Sequence, residues 1–316
     1  MSKIQGKVIG VKALTERITE LRIAASDGVS LPGYAAGAHV LFDMPDGDTR
    51  AYSLIAFDPI ASAPTEYRIA VQHELEGKGG SRHMHSLSAS SSIDFAPPKN
   101  DFPLHVDAPA VLLAGGIGIT PMISMATMLQ DLGQTFAFHY SGRSAALMAY
   151  RADLQDKFGE NLHLHCDDDP SCALDLDAVI RGLGTAHLYV CGPRGLIEAV
   201  REKAEAAGIP HDRVHFELFD APQKQDGDTA FEVEIAATGQ VFTVAAGQSI
   251  IEALEEGGVD VMYDCQRGDC GICQCTVVSG TPDHRDVVLT DAERAAGNVM
   301  QICVSRSNSP RLVLDI

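Results

Sequence analysis

The stretch DCQRGDCGICQC, at positions 264–275, places Cys265, Cys270 and Cys273 in one short loop, and Cys303 follows further along the chain. The spacing C-x4-C-x2-C…C is that of a plant-type [2Fe–2S] centre, in which each of two tetrahedral irons takes two protein thiolates. A loop that wraps three ligands around such a cluster must turn sharply, and the two glycines in the stretch permit such turns. The sequence therefore predicts an iron–sulfur cluster held by these four cysteines.

A structural zinc site is the alternative interpretation of the cysteine loop. Such sites usually combine two C-x2-C pairs, often with histidine, and the stretch contains one such pair. The spacing therefore favours iron and sulfide over zinc. Cys275 is a further thiol without a predicted ligand role, because strand alternation turns it away from the face of Gln274. We expect this thiol to leave the cluster more open to oxidative damage.

Composition and length limit what the rest of the chain can be. The chain has 316 residues, of which 45% are hydrophobic and 21% charged, which is typical of a globular protein of about two or three domains. Its formal net charge of −19 disfavours nucleic acid and anionic membranes as partners, since both would repel such a surface. A basic protein partner fits the charge better.

Eight cysteines follow a start, MSKIQGKVIG, that has no apolar secretory core. This combination predicts a cytoplasmic protein that uses cysteine for metal ligation instead of disulfides. The segment Ala108–Leu129 is uncharged and long enough to cross a bilayer. Glycines and Pro121 interrupt it, so we interpret it as a buried strand, a glycine turn and a helix that begins at Pro121.

Turn-rich and polar joints, Pro97–Leu104 and Ala221–Ala230, divide the chain into three predicted domains. Residues 1–104 alternate short apolar runs with Gly and Pro turns, which indicates an antiparallel β-barrel. Residues 105–222 alternate apolar runs with helical stretches, which indicates an α/β domain with a mostly parallel sheet. Residues 230–316 carry a hairpin, the helix Ser249–Glu256 and the cysteine loop.

Glycine-rich turns follow two predicted strands of the middle domain. In Val111–Met122 (VLLAGGIGITPM), a turn containing Gly116 and Gly118 lies between a strand and a helix, where backbone can approach a pyrophosphate. The third position is Pro121 instead of the usual glycine, and an ordinary turn is an equally good interpretation. Tyr189–Leu196 (YVCGPRGL) is a second such element. Carboxyl ends of parallel strands are where ligands bind in this architecture.

The first domain contains two motifs that together suit a phosphorylated ring. Arg50–Leu54 (RAYSL) ends a predicted strand, and Gly77–His85 (GKGGSRHMH) joins glycines and a serine to a helix-like segment. An arginine and a Gly-Gly-Ser turn can hold a phosphate, while Tyr52 can lie against a flat ring and Ser53 can hydrogen-bond to it. Taken singly, the first motif is more often an exposed barrel strand and the second a plain loop, so the prediction depends on the two together.

Six motifs in this order resemble the phthalate dioxygenase reductase family, within the ferredoxin–NADP reductase superfamily. They are RAYSL (50–54), GKGGSRHMH (77–85), AGGIGITPM (114–122), YVCGPRGL (189–196), HFELF (215–219) and the cysteines of 265–303. The resemblance implies FMN in a flavin-binding barrel, NADH in the middle domain and a carboxy-terminal ferredoxin module of the β-grasp type. Members of the family include reductases of vanillate-type demethylases and related aromatic-ring oxygenases.

The resemblance also implies roles for individual residues. Those implied to bind FMN are Arg50, Ala51, Tyr52, Ser53, Ala70, Val71, Gly80, Ser81 and Phe219. Those implied to border the nicotinamide dinucleotide are Gly116, Gly118, Ile119, Thr120, Pro121, Cys191, Gly192 and Pro193. Ser53 near the flavin N5, Thr120 and Cys191 would act at the reacting rings. Phe219 would pack on the flavin, with an ordinary core role as the alternative.

Arg143 follows the strand where the adenosine ribose should lie, and an arginine there could contact a 2′-phosphate. The resemblance favours NADH, and NADPH stays open. His83-x-His85 and His163-x-His165 have spacings that could suit a metal, but no further ligand motif completes either site.

The function implied by the resemblance is electron transfer from NADH to FMN, then to the cluster, then to a Rieske-type terminal oxygenase of aromatic catabolism. Two alternatives remain at this point. A cytochrome P450 or a di-iron hydroxylase could be the acceptor, or the chain could be an iron–sulfur redox sensor that binds nucleotide without useful turnover.

Overall fold

A computed structural model describes residues 3–75, 77, 79–219 and 227–316. The chain forms two compact units, Met1–Glu217 and Leu218–Ile316. Most of the predicted joint Ala221–Ala230 lies outside the described residues. Among the residues described, no helix is long and apolar enough to cross a membrane.

The first sheet of the first unit has six antiparallel strands in the order β4-β3-β6-β1-β2-β5. Its inward side chains form one apolar core that includes Leu21, Phe42 and Ile69, each fully buried. The predicted antiparallel barrel is confirmed. The elements are β1 (Ile4–Ala13), β2 (Ile18–Ala25), β3 (His39–Asp43), β4 (Thr49–Ser53), β5 (Tyr67–Gln72), α1 (Gly80–Ser86) and β6 (Ser92–Phe95).

The second sheet of this unit has five parallel strands in the order β11-β10-β7-β8-β9, as predicted from the alternation of strands and helices. Its strands are β7 (Ala110–Gly115), β8 (Phe136–Gly142), β9 (Leu162–Cys166), β10 (His187–Cys191) and β11 (Val214–Glu217). Its helices are α2 (Ile119–Asp131), α3 (Arg151–Phe158), α4 (Leu176–Arg181) and α5 (Arg194–Ala206).

The helix after the first glycine turn begins earlier than predicted. It starts at Ile119, after a single 3-10 turn at Gly116–Gly118, so Pro121 lies inside its first turn. Proline is tolerated there because the first backbone N–H groups of a helix have no partner within the helix. The segment that could have been mistaken for a membrane span is thus β7, a turn and α2.

Helix α2 joins the two sheets of the first unit through buried hydrogen bonds. Ser124 donates to the carbonyl of Leu54 at 2.7 Å and accepts from the amide of Ala56 at 2.9 Å. Tyr150 donates at 2.8 Å to the carboxylate of Glu20, which is 6% exposed. The bonds of Ser124 fix the end of β4 relative to the glycine turn at the start of α2, and the bond of Tyr150 ties the start of α3 to β2.

The second unit contains a mixed five-stranded sheet in the order β13-β12-β18-β14-β16, in which β12 and β18 are parallel. Helix α6 is capped by Ser249 and Glu252 in a reciprocal capping box, as suits a helix start. The elements are β12 (Phe231–Ile235), β13 (Val241–Val244), α6 (Ile250–Glu256), β14 (Gln274–Ser279), β15 (Pro282–Asp283), α7 (Asp291–Ala296), β16 (Val299–Gln301), β17 (Arg306–Ser307) and β18 (Arg311–Asp315).

The three large sheets occupy residues 4–95, 110–217 and 231–315. The barrel and the parallel sheet belong to one compact unit, so the predicted boundaries at residues 104, 222 and 230 stay predictions.

Candidate functional site

The four cysteines predicted as ligands come together in the second unit. Cys273 and Cys303 are 4% and 7% exposed, while Cys265 and Cys270 are half-buried. Direct thiol–thiol interactions link Cys265 with both Cys270 and Cys303, and Cys273 with Cys303. The thiols therefore form one connected group.

The four thiols share hydrogen bonds, which shift their pKa values in opposite directions. Hydrogen bonds from neighbouring thiols hold the pKa values of Cys265 and Cys273 below the ordinary value. Correspondingly, the pKa values of Cys270 and Cys303, which must donate those bonds, are raised. Iron in place of the shared protons would let all four ionise. In the described ranges, no three or more His, Cys, Asp or Glu side chains are arranged to hold a single metal ion.

The backbone of the cysteine loop is shaped by Gly268. This residue has φ of +83°, and a Cβ there would lie 2.6 Å from Cγ2 of Val304 and 3.0 Å from Cα of Asp286. Only glycine fits both the conformation and the space. The amide of Arg267 donates to the sulfur of Cys265 at 3.3 Å, so the turn aims backbone N–H groups at a ligand sulfur.

Asp286 supports the cysteine loop and was not predicted. Its Oδ2 accepts from the amides of Val288 at 3.0 Å and Leu289 at 2.8 Å, while the amide of Val287 donates to the carbonyl of Gly268 at 2.9 Å. The carboxylate thereby holds residues 286–289 against the cysteine loop. An aspartate whose side chain accepts from the amides two and three residues later is common in turns. The sequence does not show that this turn packs against the cysteine loop.

We expect Asp286→Ala to destabilise the second unit by about 3 kcal/mol, because it leaves buried amides without their acceptor. Denaturant unfolding, followed by loss of cluster absorbance, measures the change. Asp291→Ala, in the first turn of α7, is the matched control and should cost about 0.5 kcal/mol. Equal unfolding midpoints for the two variants would contradict the assigned role.

Asp269 is a second unpredicted residue, and it fixes the chain just before Phe219. Its Oδ2 accepts from the amide of Leu218 at 2.8 Å. Burial raises the pKa of Asp269 to about 7. Phe219 is half-buried next to this anchor, and its role against the flavin stays a prediction.

Arg50 and Gly80, both predicted to hold phosphate, lie next to each other in the first unit. A Cβ on Gly80 would lie 3.0 Å from Cγ and 3.2 Å from Nε of Arg50, so the absence of a side chain makes room for the arginine. The hydroxyl of Ser81 accepts from the amide of Glu74 at 3.0 Å, which closes the loop before α1. The same hydroxyl donates to the carbonyl of Glu74 at 3.5 Å. Lys78 of this loop lies outside the described residues.

The residues predicted to line the flavin ring lie on β4 and β5. Tyr52 is half-buried beside Phe42, and burial raises its pKa to about 12, so the phenol stays protonated. Ser53 is 4% exposed at the end of β4. Ala51 is half-buried, and Ala70 and Val71 are buried on β5.

His85 links α1 to β5, which gives the His83-x-His85 pair a structural explanation. Its Nε2 lies 2.9 Å from the carbonyl of Val71, and its Nδ1 lies 3.3 Å from the hydroxyl of Thr19. These contacts hold the helix that carries Gly80 beside the strand that carries Ala70.

The two predicted glycine turns of the nucleotide site pack directly on each other. A Cβ on Gly118 would overlap the carbonyl oxygen of Cys191 and lie 2.7 Å from the amide nitrogen of Gly192. A Cβ on Gly115 would lie 2.8 Å from Pro193. The turns after β7 and β10 therefore form one continuous backbone surface at the carboxyl edge of the sheet, where this architecture binds nucleotides.

The side chains at this edge differ in their exposure. Thr120 is 2% exposed and donates to the carbonyl of Ile117 at 3.1 Å, and the side chain of Cys191 is fully buried. Arg143 is exposed after β8, at the same edge. The remaining predicted residues are also placed here: Gly116 and Gly192 half-buried, Ile119 and Pro121 buried, and Pro193 exposed.

The His163-x-His165 pair joins a third histidine on the neighbouring strand. Nδ1 of His139 lies 3.0 Å from Nε2 of His165, and the rings of His139 and His163 stack at 4.8 Å. Burial lowers the pKa of His139 to about 4, so this imidazole is neutral at physiological pH and packs against its neighbours.

The environment of Cys275 bears on the expectation that this thiol leaves the cluster more open to oxidative damage, which stays a prediction. Burial raises its pKa to about 12, which keeps it a thiol, and the thiolate is the reactive form.

The chain is similar to known proteins over its whole length. Residues 233–308 match the model of the 2Fe-2S iron-sulfur cluster binding domain. Tetrachlorobenzoquinone reductase of Sphingobium chlorophenolicum is 39% identical, with 100% of this chain and 99% of that protein covered. Vanillate O-demethylase oxidoreductase of Acinetobacter baylyi is 37% identical, with 97% and 96% covered. The structure of phthalate dioxygenase reductase is 34% identical with a TM-score of 0.74, and the match covers 100% of this chain and 98% of that one.

The fold and the cysteine loop define an oxidoreductase with a [2Fe–2S] domain. More particularly, the chain belongs to the phthalate dioxygenase reductase family, so the resemblance noted in its motifs is confirmed.

Proposed function

We propose that this protein is the NADH-dependent reductase component of an oxygenase system, with a Rieske-type aromatic oxygenase or O-demethylase as its acceptor. The observation that carries the proposal is that one chain combines the four clustered cysteines with two further sets of residues. One is Arg50 beside Gly80, and the other is the pair of packed glycine turns after β7 and β10, which we call the nucleotide edge. Full-length similarity to a vanillate O-demethylase oxidoreductase supports it. So does similarity to a reductase described as a structure for electron transfer from pyridine nucleotides to [2Fe-2S].

Residues on β4, β5 and α1 would hold FMN. The guanidinium of Arg50 and the amides at Gly80 and Ser81 would hold its phosphate, because charge-assisted hydrogen bonds favour a dianion there. Tyr52 would lie against the ring, and Ser53, at the end of β4, would hydrogen-bond near N5.

The nicotinamide dinucleotide fits the surface formed by the turns after β7 and β10. Gly116 and Gly118 let its pyrophosphate approach the backbone at the start of α2, and Thr120 closes the turn. Bound here, FMN and the cluster would supply the conversion of two-electron oxidation of NADH into one-electron delivery to an acceptor. The chain contributes positioning to this reaction, and no acid or base is assigned.

The negative net charge of the chain and the exposed apolar side chains near the cysteine loop suit docking of a basic acceptor protein. Met262 and Ile272 are 78% and 44% exposed next to the ligand cysteines. The net charge of −19 would steer a basic partner towards the chain. We propose a cytoplasmic location, because NADH is supplied there and cluster ligation needs reduced thiols.

The test is NADH oxidation by the purified holoprotein, coupled first to cytochrome c and then to candidate oxygenases. We expect cytochrome c reduction that depends on both FMN and iron. Full FMN and iron occupancy with negligible turnover would instead favour a redox sensor. Productive coupling to a cytochrome P450 or a di-iron hydroxylase, and not to a Rieske oxygenase, would reassign the acceptor.

A quinone is the second candidate acceptor. The relative named tetrachlorobenzoquinone reductase is 39% identical over the whole chain. NADH-dependent consumption of a chlorinated quinone, faster than electron delivery to any oxygenase, would favour it.

The proposed place of Arg143 at the nucleotide edge gives a further prediction. Arg143→Ala should raise the KM for NADPH about tenfold and the KM for NADH only about twofold, because a 2′-phosphate would lose a charge-assisted contact. Arg181→Ala, at the end of α4, removes the same charge and serves as the control. Equal effects on both nucleotides would place Arg143 away from the 2′ position.

A further inference from the structure

Two thiols outside the cysteine quartet lie together at the end of β9. Cys166 is the last residue of that strand and is 8% exposed, and Cys172 is half-buried in the loop that follows. Neither has a part in the cluster, the flavin pocket or the nucleotide edge described above. The two thiols interact directly, and Sγ of Cys172 lies 3.8 Å from the carbonyl oxygen of Cys166.

The loop between the two cysteines is folded so that it returns to its starting point. The amide of Asp169 donates to the carbonyl of Cys166 at 3.2 Å, and the amide of Cys172 donates to the carbonyl of Asp169 at 3.0 Å. Asp169 also accepts from the hydroxyl of Ser171 at 2.7 Å. Successive turns therefore hold Cys172 beside Cys166.

We propose that Cys166 and Cys172 are a redox-active pair, which a hydroperoxide converts into an intramolecular disulfide that regulates the nucleotide edge. In the first step the sulfur of Cys172 attacks the peroxide, the O–O bond breaks, and the products are a sulfenic acid and water (or an alcohol). In the second step the sulfur of Cys166 displaces the sulfenic hydroxyl as water and forms the S–S bond. Two electrons leave the sulfurs and reduce the peroxide, and an external thiol reverses the change.

Exposure assigns the order of the two sulfurs. Cys172 is the more accessible and meets the peroxide first. Burial, together with the neighbouring Cys172 and Asp168, raises the pKa of Cys166, which makes it a poor first nucleophile. Cys166 therefore acts as the resolving thiol, because it already interacts with Cys172.

The same loop is bonded to the strand end that carries Arg143. The amide of Asp167 donates to the carbonyl of Gly142 at 3.0 Å, and the amide of Asp168 donates to the carbonyl of Arg143 at 3.1 Å. Pulling the two sulfurs to bonding distance strains this loop and disturbs those bonds. Binding of the nucleotide should weaken, and this consequence rests on the proposed function.

The test treats the holoenzyme with a small excess of hydrogen peroxide, with cluster absorbance monitored, and then alkylates the remaining thiols for peptide mapping. We expect a crosslink between Cys166 and Cys172, two hydrogen atoms lighter than the dithiol and reversed by dithiothreitol. The KM for NADH should rise about fivefold, which corresponds to the loss of one hydrogen bond. Cys172→Ser should show neither change, whereas Cys275→Ser should still form the crosslink.

The outcomes separate the parts of the proposal. Recovery of Cys172 as a sulfinic acid or as an alkylated thiol, without the crosslink, overturns the redox pair. A crosslink with an unchanged KM overturns the regulatory consequence. Mass detection of the crosslink does not depend on NADH oxidation. A protein that forms the crosslink but oxidises no NADH before treatment would therefore refute the proposed function and leave the redox pair intact.

Discussion

Cys303→Ser should abolish electron delivery to cytochrome c while leaving NADH-dependent reduction of a two-electron dye intact. A [2Fe–2S] cluster needs four thiolates, and Cys303 is the residue that interacts with both Cys265 and Cys273. Loss of a residue that hydrogen-bonds to a metal ligand typically lowers metal affinity or activity by up to about 100-fold. Loss of a ligand itself should lower both by at least about 100-fold. Iron analysis and the ratio of the two activities measure the effect.

Cys275→Ser is the matched control for this variant. Cys275 is a half-buried thiol on β14, two residues after a predicted ligand. It should retain iron and both activities. If Cys303→Ser keeps its iron and its cytochrome c activity, the cluster is held by other groups.

Arg50→Ala should weaken FMN binding roughly 50-fold, which corresponds to about 2.3 kcal/mol. The reason is that the guanidinium, which lies against Gly80, would lose its charge-assisted hydrogen bonds to the phosphate. Titration of the flavin-free protein with FMN, followed by quenching of flavin fluorescence, gives the dissociation constant. Iron content should not change, because the cysteines lie in the other unit.

Arg22→Ala removes an arginine from the same sheet and is the control for Arg50→Ala. Arg22 forms a surface ion pair with Glu66 at 2.6 Å, and such pairs contribute about 1 kcal/mol or less to stability. Its FMN affinity should equal that of the wild type. An unchanged FMN affinity in Arg50→Ala would mean that the phosphate is held elsewhere.

Local signals explain what could be predicted from the sequence. The cysteine spacing lies within one loop apart from Cys303, and the strand, glycine turn and helix at residues 110–131 are contiguous. Both architectures of the first unit follow from alternation patterns that span only a few residues each. For these features, residues that are close together in the sequence are also close together in the structure.

The features that could not be predicted depend on contacts between distant parts of the chain. Gly118 is needed because the carbonyl of Cys191 approaches it, and sequence alone does not pair those two turns. Asp269 accepts from the amide of Leu218, 51 residues away, and Tyr150 donates to Glu20, 130 residues away. Tertiary packing decides such contacts. The earlier start of α2, by contrast, is a local error that arose from treating Pro121 as the first helical residue.

An anaerobic NADH titration of the holoprotein, followed by flavin absorbance and by the paramagnetic signal of a reduced [2Fe–2S] cluster, tests the central proposal most directly. We predict that NADH bleaches the flavin and produces the cluster signal, and that removal of FMN prevents the second change. A cluster that stays oxidised while excess NADH reduces the flavin, or zinc in place of iron, would contradict the account.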